Sequence, residues 1–311
     1  MENASLRSVL DTFRFYISSL LKIKGYGISI IVPFHLDRKN SRRGKNWRWL
    51  QSYWKANLPG AEIIVGNDEG ALKDNLPFSK SVAVNDAISR AHGDIFVIAD
   101  ADVYISMESV LYCAKEIRDS RNKGYKLWFM PYRKMFRLNR EASNKLLASS
   151  PKNPLTFPSP PSPNDYSNKT EFEGTPVSQI AHWYGAMIQI MHREAFEIVG
   201  GWDRRFCGWG GEDSAAMMAM DTLYSQHKNL DSSVLHVWHP ERLVEGSSDT
   251  KGKRRLWANQ EAAGSNDALS WRYYGSIGNR TRMRKLVDEF KDQNHTPQTL
   301  KRPPFPPNLS S

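Results

Sequence analysis

The chain has few cysteines and no long apolar run. Only Cys113 and Cys207 occur among its 311 residues, too few for a disulfide-stapled scaffold and typical of a reducing compartment. No run of about 18 apolar residues occurs, so no transmembrane helix is predicted. Arg7, Asp11 and Arg14 interrupt the apolar stretch near the N-terminus, which argues against a signal peptide. We therefore expect a cytoplasmic protein with no integral membrane association.

Negative charge is also scarce. The formal net charge is +10, and residues 251–311 carry most of it. Such a surplus favours an anionic partner, for example a nucleotide, a nucleic acid or a membrane surface, although a basic solvated face gives the same count. Aromatic residues are interleaved with arginines in this tail: Trp257, Trp271, Tyr273 and Tyr274 among Arg254, Arg255 and Arg272. They predict either contacts with nucleic acid or packing on the preceding domain.

Composition divides the chain into three parts. We predict an amphipathic helix within residues 1–25, one α/β domain over residues 26–245, and a basic C-terminal extension over residues 246–311 that ends in disorder. Residues 149–178 are proline-rich and lack an apolar period, which indicates a long loop or a lid.

Strand and helix patterns alternate over the first hundred residues. Apolar runs at residues 27–33, 62–66 and 94–99 predict strands, and residues 46–54 and 79–91 predict helices. Such a βαβαβ order predicts a mostly parallel sheet covered by helices, with ligands bound at the carboxyl ends of its strands.

Polar residues follow each predicted strand, and we expect them to meet at one edge of the sheet. Asp100 and Asp102 follow the third strand, two residues apart, so both could reach one Mg²⁺ or Mn²⁺ ion or its bound waters. The first two strands and the second helix add Pro33, Phe34, His35, Asp68 and Lys80. Each of these residues alone is better explained by structure than by function, and only their convergence on one edge favours a functional site.

A glycine-rich segment, residues 200–213, ends in two adjacent carboxylates, Glu212 and Asp213. An aromatic surface such as Trp209 beside a carboxylate suits a sugar site, because the ring packs on the sugar and the carboxylate takes a hydroxyl proton. The alternative is a glycine-rich turn whose acidic residues stabilise a helix N-terminus.

Together these motifs resemble a known family. The strand ends and Asp100-Ala101-Asp102 resemble the nucleotide-sugar half of GT-A-fold glycosyltransferases. The second half, with Gly-Trp-Gly-Gly-Glu-Asp at residues 208–213, resembles the acceptor segment of β-1,4-galactosyltransferases and related bacterial polymerising transferases. The resemblance implies a Rossmann-like GT-A fold with a mixed, mostly parallel sheet and helices on both faces.

The resemblance also implies residue roles. Asp102 would coordinate Mn²⁺ or Mg²⁺ together with His236 or His239, and Asp100 would contact the ribose or a metal-bound water. Asp213 would be the general base and Glu212 an acceptor ligand. Acceptor-binding residues would be Trp209, Gly211 and Glu212; donor-binding residues would be Pro33, Phe34, His35, Asp68, Lys80, Asp100 and Gly185. The arginines that follow Pro-Phe in β-1,4-galactosyltransferases are replaced here by His35, Leu36 and Asp37, with Arg38 the nearest substitute.

The predicted activity is metal-dependent, inverting transfer of a sugar from a UDP-sugar to an acceptor hydroxyl. The acceptor class stays open between a saccharide, a protein and a nucleic acid. Two alternatives remain: a transferase acting on a modified DNA base, and a non-catalytic protein that binds nucleotide sugars.

Overall fold

The structure is a computed structural model that describes residues 25–35, 41–70, 78–157, 161–171, 187–206, 208, 210–240 and 266–294. The helix predicted within residues 1–25 lies outside these ranges, apart from Gly25. The described residues form both strands and helices. The strands are β1 (Ile28–Pro33), β2 (Glu62–Gly66), β3 (Ile95–Ala99), β4 (Val103–Tyr104), β5 (Trp128–Met130), β6 (Lys134–Leu138), β7 (Tyr166–Glu171), β8 (Ile188–His192), β9 (Lys228–Asn229) and β10 (Ser233–His236). The α-helices are α1 (Arg42–Asn57), α2 (Lys80–Ser89), α3 (Met107–Asn122), α4 (Arg140–Ala148), α5 (Arg193–Ile198), α6 (Glu212–Leu223), α7 (Asn266–Tyr274) and α8 (Arg280–Asn294).

A six-stranded sheet forms the centre of the fold, in the order β2-β1-β3-β8-β5-β9. β1 runs parallel to both β2 and β3, whereas β8 runs antiparallel to both β3 and β5. Every residue of β1 and β3 is buried, as expected for strands covered on both faces. The predicted α/β fold with a mixed, mostly parallel sheet is confirmed.

A second, four-stranded sheet has the order β4-β10-β6-β7. β10 pairs antiparallel with the short strand β4, so that His236 lies opposite Val103, and the N–H of Val237 donates to the carbonyl of Asp102 at 2.8 Å. This pairing brings the late strand directly against the turn that follows β3.

Serine caps begin two helices at the same edge of the larger sheet. The Ser41 hydroxyl accepts from Gly44 N–H at the start of α1, and the Ser79 hydroxyl accepts from Val82 N–H at the start of α2. Because serine caps satisfy otherwise unpaired N–H groups, the caps fix where each helix begins. They place Arg43 and Lys80 in the first turns.

The predicted proline-rich loop contains regular structure. Tyr166–Glu171 forms β7, which pairs antiparallel with β6. This differs from the expectation of an irregular segment over residues 149–178. The sequence Tyr-Ser-Asn-Lys-Thr-Glu has no alternating apolar pattern, and its order comes from pairing with β6, which places β7 at the edge of the smaller sheet. A lid function of the remaining residues stays a prediction.

The described part of the C-terminal extension packs on the domain. Helices α7 and α8 bury Leu269, Tyr273, Leu286, Val287 and Phe290, and both contact α6. Of the tail aromatics, Tyr273 is 1% exposed and Trp271 is 58% exposed; Trp257, Arg254 and Arg255 lie outside the described residues. None of the described helices has the length and apolar character needed to cross a membrane.

Candidate functional site

Two aspartates follow β3 at the edge of the sheet, and they point to different partners. Asp100 N–H donates to the Met187 carbonyl at 2.9 Å, and Val103 N–H donates back to the Asp100 carbonyl at 3.2 Å, so the chain turns between Asp100 and Val103. Side chains two residues apart in a strand lie on the same face, and this turn ends that relation between Asp100 and Asp102. Asp100 is not in the candidate metal group that contains Asp102, and its expected contact with the ribose or a metal-bound water stays a prediction.

Asp102 and two histidines form that group. The Oδ1 atom of Asp102 lies 3.7 Å from Nε2 of His236, and its Oδ2 atom lies 3.2 Å from Nε2 of His239. One ligand atom from each residue falls within a set spanning no more than 4.8 Å. The sequence left open which histidine belongs here, and the structure brings both to Asp102.

The chemistry of this group fits a divalent transition-metal ion. Asp102 is fully buried, and its Oδ1 atom has no hydrogen-bond partner among the described residues. Burial alone would raise the pKa of Asp102, but Arg43, His236 and His239 hold it well below its usual value. Burial, only partly offset by Asp102, lowers the pKa of His236 to about 4. A carboxylate and a neutral imidazole are the forms in which these side chains bind Mn²⁺.

Arg43 also contacts the Asp102 carboxylate. Its Nε atom donates to Asp102 Oδ2 at 2.6 Å, and its side chain is 42% exposed. Sequence reasoning missed this residue and considered Arg38, which lies outside the described residues. The signal available was Ser41, a helix cap just downstream of the first strand, which places the next residues at the same sheet edge.

The backbone between the two histidines is held by neighbouring helices. Asn46 on α1 donates its Nδ2 to the Trp238 carbonyl at 3.1 Å, and the Ser143 hydroxyl on α4 accepts from Trp238 N–H at 2.8 Å. The guanidinium carbons of Arg42 and Arg140 lie 5.5 and 5.4 Å from the Trp238 ring. These contacts orient the ligand-bearing segment, as hydrogen bonds behind a metal's ligands commonly do.

Glu212 and Asp213 form the first turn of α6 and are largely buried. Gly211 precedes them at φ 91°, and a Cβ atom there would lie 2.1 Å from Ser270 Oγ and 2.9 Å from the Phe206 ring. A side chain is therefore excluded at Gly211 both by conformation and by space. The Glu212 carboxylate accepts Gly210 N–H at 3.0 Å, and Asp213 Oδ1 accepts Ser214 N–H at 2.8 Å.

The electrostatics of this carboxylate pair are unlike those of Asp102. Burial, together with the adjacent charge of Asp213, raises the pKa of Glu212 to about 7. Burial also raises the pKa of Asp213, although the Lys80 ammonium opposes the shift. A carboxylate with a raised pKa is a stronger base near neutral pH.

Lys80 lies between Asp100 and Asp213. Its Nζ atom lies 2.7 Å from Asp100 Oδ1 and 3.9 Å from Asp213 Oδ2, and it sits 5.5 Å from the centre of the Trp202 ring. Burial alone would lower the pKa of Lys80, but Asp100, Asp213 and Glu212 raise it, so the ammonium stays charged. The strand-end carboxylate of Asp100 and the helix-start carboxylate of Asp213 therefore lie on either side of one ammonium group.

The remaining predicted donor residues lie at the neighbouring strand ends. Phe34 N–H donates to the Gly66 carbonyl at 3.0 Å, and the His35 ring lies 5.1 Å from the Phe78 ring. The buried Asp68 carboxylate accepts Ser79 N–H at 2.9 Å at the start of α2. Pro33 is the last residue of β1.

Family comparisons match two overlapping segments of the chain. Residues 74–196 match Glycosyl transferase family 2, and residues 176–220 match the N-terminal domain of galactosyltransferase. Residues 74–220 of the chain are therefore similar to glycosyltransferases. The resemblance to glycosyltransferases and the enzyme class predicted from the sequence are thus confirmed. A search of curated proteins finds no match to this glycosyltransferase.

Among solved structures, the glycosyltransferase is similar to a mannosyltransferase from Pyrobaculum calidifontis in complex with GDP-Man and Mn²⁺ (11% identity, 94% of this chain and 97% of that chain, TM-score 0.37). It is also similar to S. aureus TarS (11% identity, 68% of this chain and 36% of that chain, TM-score 0.39). A third similar structure is a mutant Drosophila β1,4-galactosyltransferase 7 in complex with manganese, UDP-Gal and xylobiose (13% identity, 65% of this chain and 63% of that chain, TM-score 0.31). With TM-scores below 0.5, these likenesses are too weak to carry a ligand or a residue role to this chain.

The matched segments of the glycosyltransferase include some site residues and omit others. Lys80, Asp100 and Asp102 lie in the first segment, and Glu212 and Asp213 lie in the second. Arg43 and both histidines lie outside the two segments. Gly185 and Trp209 fall outside the described residues, so their roles remain predictions.

Proposed function

We propose that this glycosyltransferase moves a sugar from a nucleoside diphosphate, UDP in the first instance, to an acceptor hydroxyl with inversion at the anomeric carbon, and that it depends on Mn²⁺ or Mg²⁺. One observation carries the proposal. A carboxylate–imidazole group at Asp102 and a buried carboxylate pair at Glu212 and Asp213 occupy the same sheet edge, joined through Lys80 and Asp100.

Asp102, His236 and His239 would hold the metal ion. When bound, such an ion supplies positive charge to the departing diphosphate, where the largest negative charge develops. Lys80 adds a second fixed positive charge beside this position, because its ammonium is buried between Asp100 and Asp213. Donor contacts at Pro33, Phe34, His35, Asp68 and Gly185 belong to the same proposal.

Asp213 acts as the general base. Its carboxylate takes the proton of the acceptor hydroxyl while the oxygen forms a bond to the anomeric carbon. The bond from that carbon to the diphosphate oxygen breaks, and the nucleoside diphosphate leaves with the electron pair. Attack from the face opposite the leaving group inverts the anomeric configuration. The raised pKa of Asp213 supports the role, because burial strengthens the base.

Glu212 binds and orients the acceptor. Glu212 directly precedes the base Asp213 in the chain, and its carboxylate accepts a hydrogen bond from Gly210 N–H at 3.0 Å. With the pKa of Glu212 raised to about 7 by burial and by Asp213, its carboxyl group is partly protonated near neutral pH and can then donate a hydrogen bond to a sugar oxygen. Trp209 and Gly211 would complete the acceptor surface.

The experiment is a donor panel on the full chain. UDP-sugars and GDP-sugars are incubated with Mn²⁺, alone and with saccharide, protein or duplex DNA acceptors, and nucleoside diphosphate release and product mass are measured. We expect release from at least one UDP-sugar, abolished by EDTA, and a product whose anomeric configuration by NMR is opposite to that of the donor.

Each element of the proposal has its own contrary outcome. Release from GDP-sugars alone contradicts UDP as the nucleotide, and release that persists in EDTA contradicts the metal. A product with the donor's anomeric configuration contradicts inversion. No release from any donor overturns the proposed reaction.

A further inference from the structure

Helices α7 and α8 lie outside both segments that match glycosyltransferase families, which end at residues 196 and 220. Their contacts nevertheless converge on the segment that leads into the carboxylate pair. This segment comprises residues 200–206 and 210–213, and we call it the acceptor loop. These contacts lie before and after Glu212 and Asp213 in the chain, and they are polar as well as apolar.

Asp203 is the main polar contact within the acceptor loop. Its side chain is 1% exposed. Its Oδ2 atom accepts the Tyr273 hydroxyl at 2.9 Å and Arg205 Nη2 at 2.7 Å, and its Oδ1 atom accepts both the backbone N–H and Nε of Arg205 at 3.0 Å. A buried carboxylate with this many donors is well satisfied, and charge-assisted hydrogen bonds of this kind are strong and directional.

Arg205 extends the contact to the last helix. Its Nη1 atom donates to Glu289 Oε2 at 2.8 Å, and Arg272 donates to both oxygens of Glu289 at 2.6 and 2.7 Å. The chain of charges thus runs from the acceptor loop to α8 and returns to α7. Because the partners lie on three separate elements, the network fixes their relative positions.

The contacts also hold both ends of α6. At its start, Gly211 lies so close to Ser270 that a Cβ atom would come within 2.1 Å of the hydroxyl oxygen. At its end, Arg280 donates to the carbonyls of Thr222 and Leu223 at 3.0 and 2.9 Å, which satisfies acceptors left open by the helix. Helices α7 and α8 therefore determine where the first turn of α6 points.

We propose that Asp203, clamped by Tyr273 and Arg205, is a positioning residue that holds the acceptor loop so that Glu212 and Asp213 face Lys80. The C-terminal helix pair is then a working part of the acceptor side of the site. The catalytic importance of this loop position rests on the proposed function. The contacts of Asp203 with Tyr273 and Arg205 are tested without measuring sugar transfer.

The test compares Tyr273→Phe with Tyr274→Phe in the full chain. The first removes the hydroxyl bonded to Asp203. The second removes a hydroxyl from the next residue, whose ring contacts Trp271 at 5.5 Å. Hydrogen–deuterium exchange is followed by mass spectrometry in peptides covering residues 203–215 and in β3 (Ile95–Ala99). Calorimetry with UDP and Mn²⁺ gives nucleotide affinity where binding is measurable.

We expect Tyr273→Phe to speed exchange in residues 203–215 by about tenfold, as the loss of one hydrogen bond to a charged group implies. Exchange in β3 should stay within about twofold of wild type, and Tyr274→Phe should change neither region by more than that. Equal acceleration in both regions would show a general stabilising role, and no acceleration in residues 203–215 would show no clamp; either result overturns the proposal.

Arg205→Lys supplies a second variant that keeps the charge and loses the forked contact. It should also speed exchange in residues 203–215 only. Where the wild type transfers sugar, both variants should lower kcat by at least about tenfold and leave the donor KM within about twofold. A raised donor KM with unchanged kcat contradicts the positioning role. If the wild type transfers nothing, the proposed function fails while the exchange result still decides the clamp.

Discussion

Two buried carboxylate sites lie at one edge of this fold, and their electrostatics are opposite. Asp102 follows a strand and faces Arg43, His236 and His239, which hold its pKa well below the usual value. Glu212 begins a helix beside Asp213, and burial with this second carboxylate raises its pKa to about 7. The same chemical group is kept ionised in one place and made basic in the other.

The difference shows that neighbours, more than burial, divide the roles. All three carboxylates lose most of their contact with water, and burial alone would raise each pKa. Cationic and imidazole groups reverse the shift at Asp102, whereas Lys80 only moderates it at Asp213. Pairs of carboxylates whose pKa values are pushed apart are typical of sites that need both a charge-binding group and a proton acceptor.

The largest expected effect comes from the basic carboxylate. Asp213→Asn should lower sugar transfer by on the order of 10²–10⁴, because a general base is lost, while affinity for UDP with Mn²⁺ stays unchanged. Turnover and calorimetry measure the two effects separately. Asp119→Asn is the matched control, since Asp119 is exposed and paired only with Lys115 among its described ion pairs. Transfer at the wild-type rate would remove Asp213 from the mechanism.

The ionised carboxylate should control metal binding. Asp102→Asn should weaken Mn²⁺ binding to the full chain by at least about a hundredfold, since even outer contacts of a metal site contribute ten- to a hundredfold. His236→Gln and His239→Gln should each weaken it too, read by calorimetry or by Mn²⁺ electron paramagnetic resonance. His92→Gln serves as the control because the His92 side chain is 88% exposed. Unchanged affinity in the Asp102 variant would separate this group from any metal.

The raised pKa of Glu212 makes stability depend on pH. A group whose pKa is higher in the folded state favours folding most below its unfolded pKa of 4.5, and this contribution disappears as the pH rises to about 7. Between pH 4.5 and pH 8, the free energy of unfolding should therefore fall by up to about 3 kcal/mol more in the wild type than in Glu212→Gln. Chemical denaturation at pH 4.5 and pH 8 measures it, and an equal loss in wild type and variant contradicts the shift.

The smallest effect tests the cation beside the metal group. Arg43→Met removes a positive charge whose Nε atom lies 2.6 Å from Asp102 Oδ2, so Mn²⁺ should bind about tenfold more tightly, because charge repulsion and competition for the oxygen are lost. Arg48→Met, an exposed arginine on the same helix, should leave the affinity within about twofold. Weaker Mn²⁺ binding in the Arg43 variant would mean that the arginine supports the ligand group.

Much of the donor half follows from local sequence. Apolar runs with intervening helices predict β1, β2, β3 and their parallel pairing, because alternating strand and helix patterns have few other solutions. Asp102 at a strand end and Glu212–Asp213 after a glycine-rich turn are recognised from adjacent residues alone. The helices at residues 42–57 and 80–89 were also expected, with ends differing by a few residues.

Other features depended on contacts between residues far apart in the chain. The register of β10 against β4 brings both histidines to Asp102, and no local pattern distinguishes a histidine on such a strand from a packed one. The turn after β3 sends Asp100 to Lys80 instead of the metal group.

Sequence therefore determined the first three strands, the acidic motifs and the resemblance to glycosyltransferases, since these depend on short-range patterns. Tertiary structure alone decided the complete ligand group, the approach of Arg43 and the docking of α7 on the acceptor loop. The Tyr273 hydroxyl meets Asp203 across 70 residues of chain, and a contact of that length is fixed by how helices pack rather than by the residues beside it.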